Sequence, residues 1–184
     1  MNRLYISDYE QKKKKKYSFL RALYSIFSLH DMRYLYLLRK TSLTKNKMIK
    51  KIMTNRLKKY GRRYGLEISP DAKIGMYFEL GHPFNITING SAILGNHITI
   101  GKGATIGAVI NGNKKGCPKI GDYVFIGINS TIVGNINIGN NVMICANAFV
   151  NFDVPDNSIV IGNPGIIHSK VNPAKDYFYK AEEQ

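Results

Sequence analysis

Residues 120–150 read IGDYVFIGINSTIVGNINIGNNVMICANAFV, and this stretch decides the fold. Every sixth residue in it is aliphatic, and these positions are Ile120, Ile126, Ile132, Ile138, Ile144 and Val150. A period of six matches neither the 3.6-residue period of an α-helix nor the two-residue alternation of a simple strand. The pattern is an internal repeat, and such a repeat indicates a solenoid architecture.

The same repeat occurs upstream in two further runs. The first run contains Ile68, Ile74 and Leu80, and the second contains Ile88, Leu94, Ile100 and Ile106. The register shifts by two residues between the first run and the second, which predicts a bulge that carries His82. The polar, Gly-rich segment 111–116 separates the second run from residues 120–150, so we expect an exposed loop there.

Each hexad supplies one flat face, consisting of a short strand and a corner turn. A glycine after the aliphatic residue permits the tight corner that other residues resist. Three faces form a triangular coil of about 18 residues, and coils stack about 4.8 Å apart with every strand paired above and below. The sequence therefore predicts a mainly β fold, a parallel β-helix of about five coils. We expect this domain at 67–168, between a basic helical arm (1–66) and a C-terminal tail (169–184).

The positive charge of the chain is concentrated in residues 1–66. The formal net charge is +15, and this segment holds 19 Lys and Arg against three acidic residues, whereas 67–184 holds eight Lys and nine acidic residues. Such asymmetry indicates an acidic partner for the arm, namely a membrane surface, a nucleic acid or another protein. No nucleic-acid-binding motif accompanies the charge, so we expect no nucleic acid partner.

The arm is predicted to contain two amphipathic helices, within 17–40 and 44–60. Residues 1–16 end in five consecutive lysines at 12–16, and we expect this segment to be a solvated, mobile tail or, alternatively, an anchor for anionic lipid headgroups. The second helix opposes an apolar face to a lysine-rich face. This pattern favours packing on the repeat domain or a second subunit, with peripheral contact of residues 12–60 with an anionic membrane as the alternative. Charged residues interrupt 17–38, so no bilayer-spanning segment is predicted.

The remaining composition favours a cytoplasmic protein. Cys117 and Cys145 make no disulfide framework, which is typical of a reducing compartment. Residues 1–16 lack the apolar core of a signal peptide. We expect a cytoplasmic location, with the inner face of the membrane as a possible peripheral site for the basic arm.

Four motifs make 66–168 resemble the hexapeptide-repeat acyltransferases, and within them the serine O-acetyltransferases. The motifs are GLEISPDAKIG at 65–75, PKIGD at 118–122, VGNINIG at 133–139 and VIGNP at 160–164. The resemblance implies a left-handed parallel β-helix, a homotrimer and an O-acetyltransferase activity that uses acetyl-CoA as cosubstrate.

The resemblance also implies a catalytic pair, His82 and Glu67. In this family a His in the first bulge is the base, and an acid fifteen residues earlier orients it. A base is needed because a hydroxyl is a poor nucleophile and must lose its proton as it attacks the thioester. A carboxylate on the second ring nitrogen fixes the tautomer and stabilises the imidazolium. The family usually has Asp where this chain has Glu67.

For acetyl-CoA, the resemblance implies a groove between neighbouring prisms of the trimer. The matching positions are Gly107, Ala108, Val109, Lys119, Ile128, Ala146, Ile161, Gly162 and Pro164. The family has a small residue where Ile128 stands, so we expect a narrower groove. No metal is expected. The β-helix proteins that resemble carbonic anhydrases need three His around zinc, and His30 and His168 lie outside the central coils.

The acceptor is predicted from departures from the serine enzymes. Those enzymes have Asp before the catalytic His and Arg-His before the Pro-Lys-Ile motif, whereas this chain has Gly81, Gly116 and Cys117. The missing groups would make charge-assisted hydrogen bonds to an amino acid. We therefore expect a sugar or surface-polysaccharide precursor as acceptor, with L-serine, feeding cysteine synthesis, as the alternative. A different class of function is a non-catalytic β-helix scaffold with a membrane-binding arm.

Overall fold

The structure is a computed structural model and describes residues 2–178. Four helices come first, and they are α1 (Arg3–Lys13), α2 (Phe19–Ser28), α3 (His30–Ser42) and α4 (Lys47–Arg62). Two of these helices, α1 and α4, have a side-chain N-cap. The Asn2 carboxamide accepts a hydrogen bond from Tyr5 N–H at 2.8 Å, and the Asn46 carboxamide accepts bonds from the first turn of α4. Such caps satisfy backbone donors that the helix itself leaves unpaired.

Fifteen short strands follow and form three sheets, which are the faces of a prism. The first sheet contains β1 (Glu67–Ile68), β4 (Thr87–Ile88), β7 (Thr105–Gly107), β10 (Thr131–Val133) and β13 (Phe149–Val150). The second sheet contains β2 (Lys73–Ile74), β5 (Ile93–Leu94), β8 (Lys119–Ile120) and β11 (Asn137–Ile138). The third sheet contains β3 (Phe78–Gly81), β6 (Ile98–Gly101), β9 (Val124–Ile126), β12 (Val142–Ile144), β14 (Ser158–Ile161) and β15 (Ile166–Ser169).

From β1 to β13 the strands visit the three sheets in rotation, and every pair between β1 and β14 is parallel. After β13 the second sheet contributes only an isolated bridge between Ile138 and Val154 before β14 begins. Among the strands within residues 2–178, β15 alone is antiparallel, against β14, and it ends the third sheet. The hexad aliphatics stack along the prism axis, and Ile100, Ile126 and Ile144 are completely buried. Each such side chain contributes about 1.5–3 kcal/mol by leaving water. The predicted parallel β-helix with N-terminal helices is confirmed.

The register between coils locates the two insertions that the repeat predicted. Glu67 lies opposite Thr87, twenty residues later, whereas Thr87 lies opposite Thr105, eighteen residues later. The first coil thus holds two extra residues. Thr105 lies opposite Thr131, so the coil with the Gly-rich loop is eight residues longer than a regular one.

The prediction that the first sixteen residues form a mobile tail is wrong. Helix α1 packs on the first coil, and the Asp8 carboxylate accepts two hydrogen bonds from Arg39 of α3, at 2.7 and 2.9 Å, and one from Phe78 N–H at 2.9 Å. Lys12 forms ion pairs with Asp31 at 3.4 Å and Glu79 at 3.5 Å. Part of the lysine run therefore binds the protein itself.

The predicted helix at 17–40 is two helices. Leu29 has an extended backbone, with φ −113° and ψ 124°, and separates α2 from α3. The first half of α4 does not pack its apolar face on the repeat domain, because Met48, Ile49 and Ile52 are exposed and only Leu57 and Gly61 are buried in α4. Packing of this face on a second subunit stays a prediction. No helix within residues 2–178 is long and apolar enough to cross a membrane.

The C-terminal tail returns to the third sheet. It contains a single turn of 3₁₀ helix, Lys175–Tyr177, and the ring of Phe178 lies edge-on to Tyr123. The last part of the predicted tail, 179–184, lies outside the described residues.

Candidate active site at the first corner of the β-helix

His82 stands at the corner where the third sheet turns into the first. Its backbone has φ +53°, in the left-handed region, and its side chain is exposed. The His82 carbonyl accepts a hydrogen bond from Phe84 N–H at 2.8 Å, and the intervening Pro83 is buried. Histidine is one of the few residues other than glycine that enters this region with any frequency. The two-residue bulge thus presents the imidazole to solvent above the regular corners.

Glu67 lies on the outer face of the first sheet, in the same coil as His82. Its side chain is exposed and lines a cavity of about 430 Å³ between α4 and β1. Burial raises the pKa of the neighbouring Tyr34 to about 12, and the charge of Glu67 adds to this increase. Among the residues that the structure describes, no hydrogen bond or ion pair joins Glu67 to His82. The orienting role of Glu67 therefore stays a prediction.

A column of corner residues descends from His82. Gly81 lies opposite Gly101, but the two extra residues of the first coil follow Gly81 and place His82 in a bulge above the regular corner. Gly103 N–H donates to the Phe84 carbonyl at 2.9 Å, so Phe84 lies directly above Lys102. The backbone continues this ladder, because Asn129 N–H donates to the Lys102 carbonyl at 2.9 Å and Asn147 N–H donates to the Ile128 carbonyl at 2.8 Å. The members below His82 are Lys102, Ile128, Ala146 and Gly162. Three predicted CoA-binding residues thus share one edge with the predicted base.

Close backbone packing limits which side chains this edge accepts. A Cβ atom on Gly127 would lie 2.6 Å from Ala146 N, closer than any side chain tolerates. Gly81 differs, because a Cβ there would meet no heavy atom nearer than 3.4 Å. The Ile128 side chain is partly exposed on the column, where the resemblance leads us to expect a smaller residue. The corner beside His82 therefore has room for a side chain at Gly81, whereas the corner two coils below has no room for one at Gly127.

The other predicted CoA residues lie on the opposite edge of the first sheet. Gly107 ends β7, and Ala108 and Val109 begin the Gly-rich loop, which is closed by two backbone hydrogen bonds between Val109 and Gly116 at 2.9 and 3.0 Å. Lys119 follows in the second sheet, with its side chain exposed. The predicted set is therefore divided between two edges of one prism.

The Gly-rich loop, 108–117, is held against the coils below it. The Lys114 ammonium donates to the Asn151 carbonyl, and the Lys114 carbonyl accepts from Asn135 N–H at 2.9 Å. At its end, the Cys117 thiol donates to the Asn89 carboxamide oxygen at 3.3 Å, and burial raises the pKa of this thiol. A neutral group thus occupies the position before the Pro-Lys-Ile motif.

The terminal turn completes the predicted set. Ile161 ends β14 with its side chain exposed, and Gly162 lies in the left-handed region, at φ +91°. Pro164 follows in the link to β15. This turn lies at the lower end of the corner column, four coils from His82.

Sequence reasoning missed Lys102. It is exposed, and it follows Gly101 as His82 follows Gly81. The signal was present in the shared Gly-X corner, but the two-residue shift between the runs hid it. No group of three or more His, Cys, Asp or Glu side chains suited to a metal ion lies within residues 2–178.

Comparisons with known proteins identify the repeat region. Residues 117–151 match the family described as bacterial transferase hexapeptide (six repeats). Serine acetyltransferase of Staphylococcus epidermidis is 41% identical over 103 residues, which are 56% of this chain and 48% of that protein. Serine acetyltransferase 2 of Arabidopsis thaliana is 39% identical over 101 residues, which are 55% of this chain and 31% of that protein.

Solved structures extend the likeness to most of the chain. The crystal structure of serine acetyltransferase from Neisseria gonorrhoeae superimposes with a TM-score of 0.69 at 29% identity, covering 90% of this chain and 67% of that one. Its complex with serine gives a TM-score of 0.68 at 30% identity, covering 82% and 66%.

The chain spans about half the length, or less, of the curated relatives that it matches. The solved structures cover 90% and 82% of this chain, so their likeness extends into the helical arm. Residues 117–151 are therefore bacterial transferase hexapeptide repeats, and the chain as a whole is similar in sequence and fold to serine acetyltransferases.

Proposed function

We propose that this protein is an acetyl-CoA-dependent O-acetyltransferase whose acceptor is the hydroxyl of L-serine. The observation that carries the proposal is His82, exposed on a left-handed corner at the top of a column of predicted CoA-binding residues, in a β-helix homologous to serine acetyltransferases. The comparisons do not support the sugar acceptor that the sequence favoured. They favour the alternative, serine.

In the proposed reaction His82 acts as the general base. Its neutral imidazole takes the proton of the acceptor hydroxyl while the oxygen attacks the thioester carbonyl carbon. The C–S bond then breaks, and the departing CoA thiolate receives the proton from the imidazolium. Glu67 would hold the second ring nitrogen and stabilise the positive ring, as the carboxylate of a catalytic triad does. The products are an O-acetyl ester and CoA, and His82 is neutral again.

Acetyl-CoA would lie along the corner column below His82. Lys102 and Lys119 supply exposed positive charge for phosphate groups. The predicted CoA residues lie on two edges of one prism, so we propose a homotrimer, in which an edge of one protomer faces the other edge of its neighbour.

One observation favours a second candidate, a sugar hydroxyl. The motif position before His82 is Gly81, and the position before the Pro-Lys-Ile motif is the buried thiol Cys117. Neither can make the charge-assisted hydrogen bonds that the ends of an amino acid require. The lack of charged groups at these positions conflicts with serine as the acceptor. This conflict can be tested, because the Gly81 corner has room for a side chain.

The discriminating experiment measures CoA release from acetyl-CoA with L-serine, with nucleotide sugars and with bacterial glycans. We expect turnover with L-serine, and we expect Gly81→Asp to lower the KM for serine by restoring a carboxylate beside His82. Gly81→Asn is the matched control, with the same size and no charge. Turnover with a sugar acceptor and none with L-serine would show that the acceptor is the sugar. If none of these acceptors causes CoA release and acetyl-CoA does not bind, the result would favour a non-catalytic scaffold.

We place this reaction in the cytoplasm. Both cysteines, Cys117 and Cys145, are free thiols in the structure. Free thiols persist in a reducing compartment.

A further inference from the structure

Helix α2 does not bury its large apolar side chains against the rest of the protein. It packs inward through three residues, Ala22, Ser25 and Ile26. Its large apolar side chains face solvent instead, and they are Phe19 (57% exposed), Leu20 (76%), Leu23 (38%), Tyr24 (72%) and Phe27 (70%). These positions recur at the spacing of one helix face. A contiguous exposed apolar face of this kind marks a binding surface.

The surroundings of this face are mostly basic, although the Glu10 carboxylate accepts a hydrogen bond from Tyr17 N–H at 2.9 Å just before α2. Residues 13–28 contain five Lys or Arg and no Asp or Glu. A groove of about 550 Å³ between α1 and α2 brings Lys13, Lys15 and Arg21 beside Leu20 and Tyr24. Lys12 lies nearby but is not counted with these basic side chains, because its ammonium group is paired with Asp31 and Glu79.

We propose that α2 and the adjoining lysines form a docking surface for an anionic lipid membrane. Phe19, Leu20, Tyr24 and Phe27 would enter the headgroup and acyl boundary, and Lys13, Lys15, Lys16 and Arg21 would contact lipid phosphates. An amphipathic helix of this composition binds the interface through apolar burial and through attraction to anionic lipid. The proposal rests on this arm alone and does not depend on the proposed acetyl transfer.

Charge complementarity favours the membrane over a second copy of this chain. Each arm carries 19 basic and three acidic residues, so two arms that met through α2 would place like charges opposite each other. A nucleic acid would satisfy the lysines but would leave the apolar face in water. An anionic bilayer is the partner that satisfies both features at once.

The test is co-sedimentation of the full chain with vesicles of phosphatidylcholine containing roughly 30% phosphatidylglycerol. We expect binding at about 50 mM salt, its loss at about 500 mM, and little binding to pure phosphatidylcholine. Lys15→Glu with Lys16→Glu, or Leu20→Ser with Phe27→Ser, should each reduce the partition coefficient at least about tenfold.

Matched controls carry the same kinds of change on the β-helix and its C-terminal tail, outside the helical arm. Lys115→Glu with Lys170→Glu reverses two exposed charges, and Ile110→Ser with Val171→Ser removes two apolar side chains that are 76% and 80% exposed. Both controls should bind vesicles as the wild type does. All variants are surface changes, and circular dichroism verifies their folding.

Three outcomes would overturn the proposal. Binding that falls equally in the β-helix controls would show that only net charge matters. Binding that depends on the lysines and not on Leu20 and Phe27 would indicate a general polyanion site. A lower oligomer mass of Leu20→Ser with Phe27→Ser without lipid would show that a second copy covers α2.

Discussion

Replacing Arg39 with Met should separate the helical arm from the β-helix at a large cost in stability. Arg39 is 2% exposed and donates two hydrogen bonds to the Asp8 carboxylate, which is completely buried. It also donates to the Ile74 and Gly75 carbonyls, both at 2.6 Å. One guanidinium therefore joins α1, α3 and the first coil.

The expected cost follows from what the substitution leaves behind. Breaking a buried ion pair costs about 3–5 kcal/mol, because the remaining charge has no partner. Two carbonyls lose strong donors as well, so we expect a loss of at least about 4 kcal/mol in the free energy of unfolding. Lys50→Met is the matched control. Its ion pair with Asp71 is just as short, 2.6 Å, but Asp71 is 67% exposed, so we expect a loss below about 1 kcal/mol.

The deficit of Arg39→Met should also depend on pH. Burial raises the pKa of the Asp8 carboxyl, while the charge and hydrogen bonds of Arg39 lower it. Without Arg39 the folded chain holds a proton that the unfolded chain releases above about pH 4. A folded-state pKa above the unfolded value makes stability fall as pH rises, so the deficit grows from pH 4 to pH 7.

Urea unfolding followed by far-UV circular dichroism, at a fixed protein concentration, measures both quantities. Wild type, Arg39→Met, Lys50→Met and the double variant Asp8→Asn with Arg39→Met are compared. The double variant should recover part of the loss, because no charge is left buried. A deficit equal to that of Lys50→Met, or one independent of pH, would refute the reasoning.

Two further predictions concern the β-helix. The ring of His97 is stacked between Tyr77 and Tyr123. Burial lowers the pKa of His97, and the charge of Asp122 opposes this with a smaller effect. Because the folded state favours the neutral ring, stability should fall as pH drops below about 6.5. In thermal unfolding at pH 5 and pH 7.5, His97→Phe should show a smaller difference than wild type, and an equal difference would contradict this. Gly127→Ala should lower the free energy of unfolding by about 1–3 kcal/mol in urea, because its Cβ clashes with the next coil. A loss no larger than that of an alanine at the open Gly81 corner would contradict this.

The fold could be predicted because a single residue class reports it. The hexad aliphatics face the prism axis at every turn, so their period appears directly in the sequence, as does the two-residue shift that marks the His82 bulge. The arm could not be predicted in the same way. Asp8 and Arg39 look like surface residues locally, and only their tertiary ion pair buries them.

The candidate site was predictable in part. The motifs identified the site residues individually, but their division between two edges depends on the strand register, which shows that Ile128 and Gly107 do not share a corner. The outward face of α2 was hidden for a different reason. Helical periodicity identifies the apolar face and not the direction in which it points.

The most direct test of the central claim is the rate of CoA release from acetyl-CoA and L-serine by wild type and His82→Ala. Acetyl-CoA binding is measured on both by calorimetry. If His82 is the general base, the rate falls at least about 100-fold while acetyl-CoA still binds, and Glu67→Gln gives a smaller loss. A His82→Ala rate within about threefold of the wild type would contradict the assignment of the reaction to this corner.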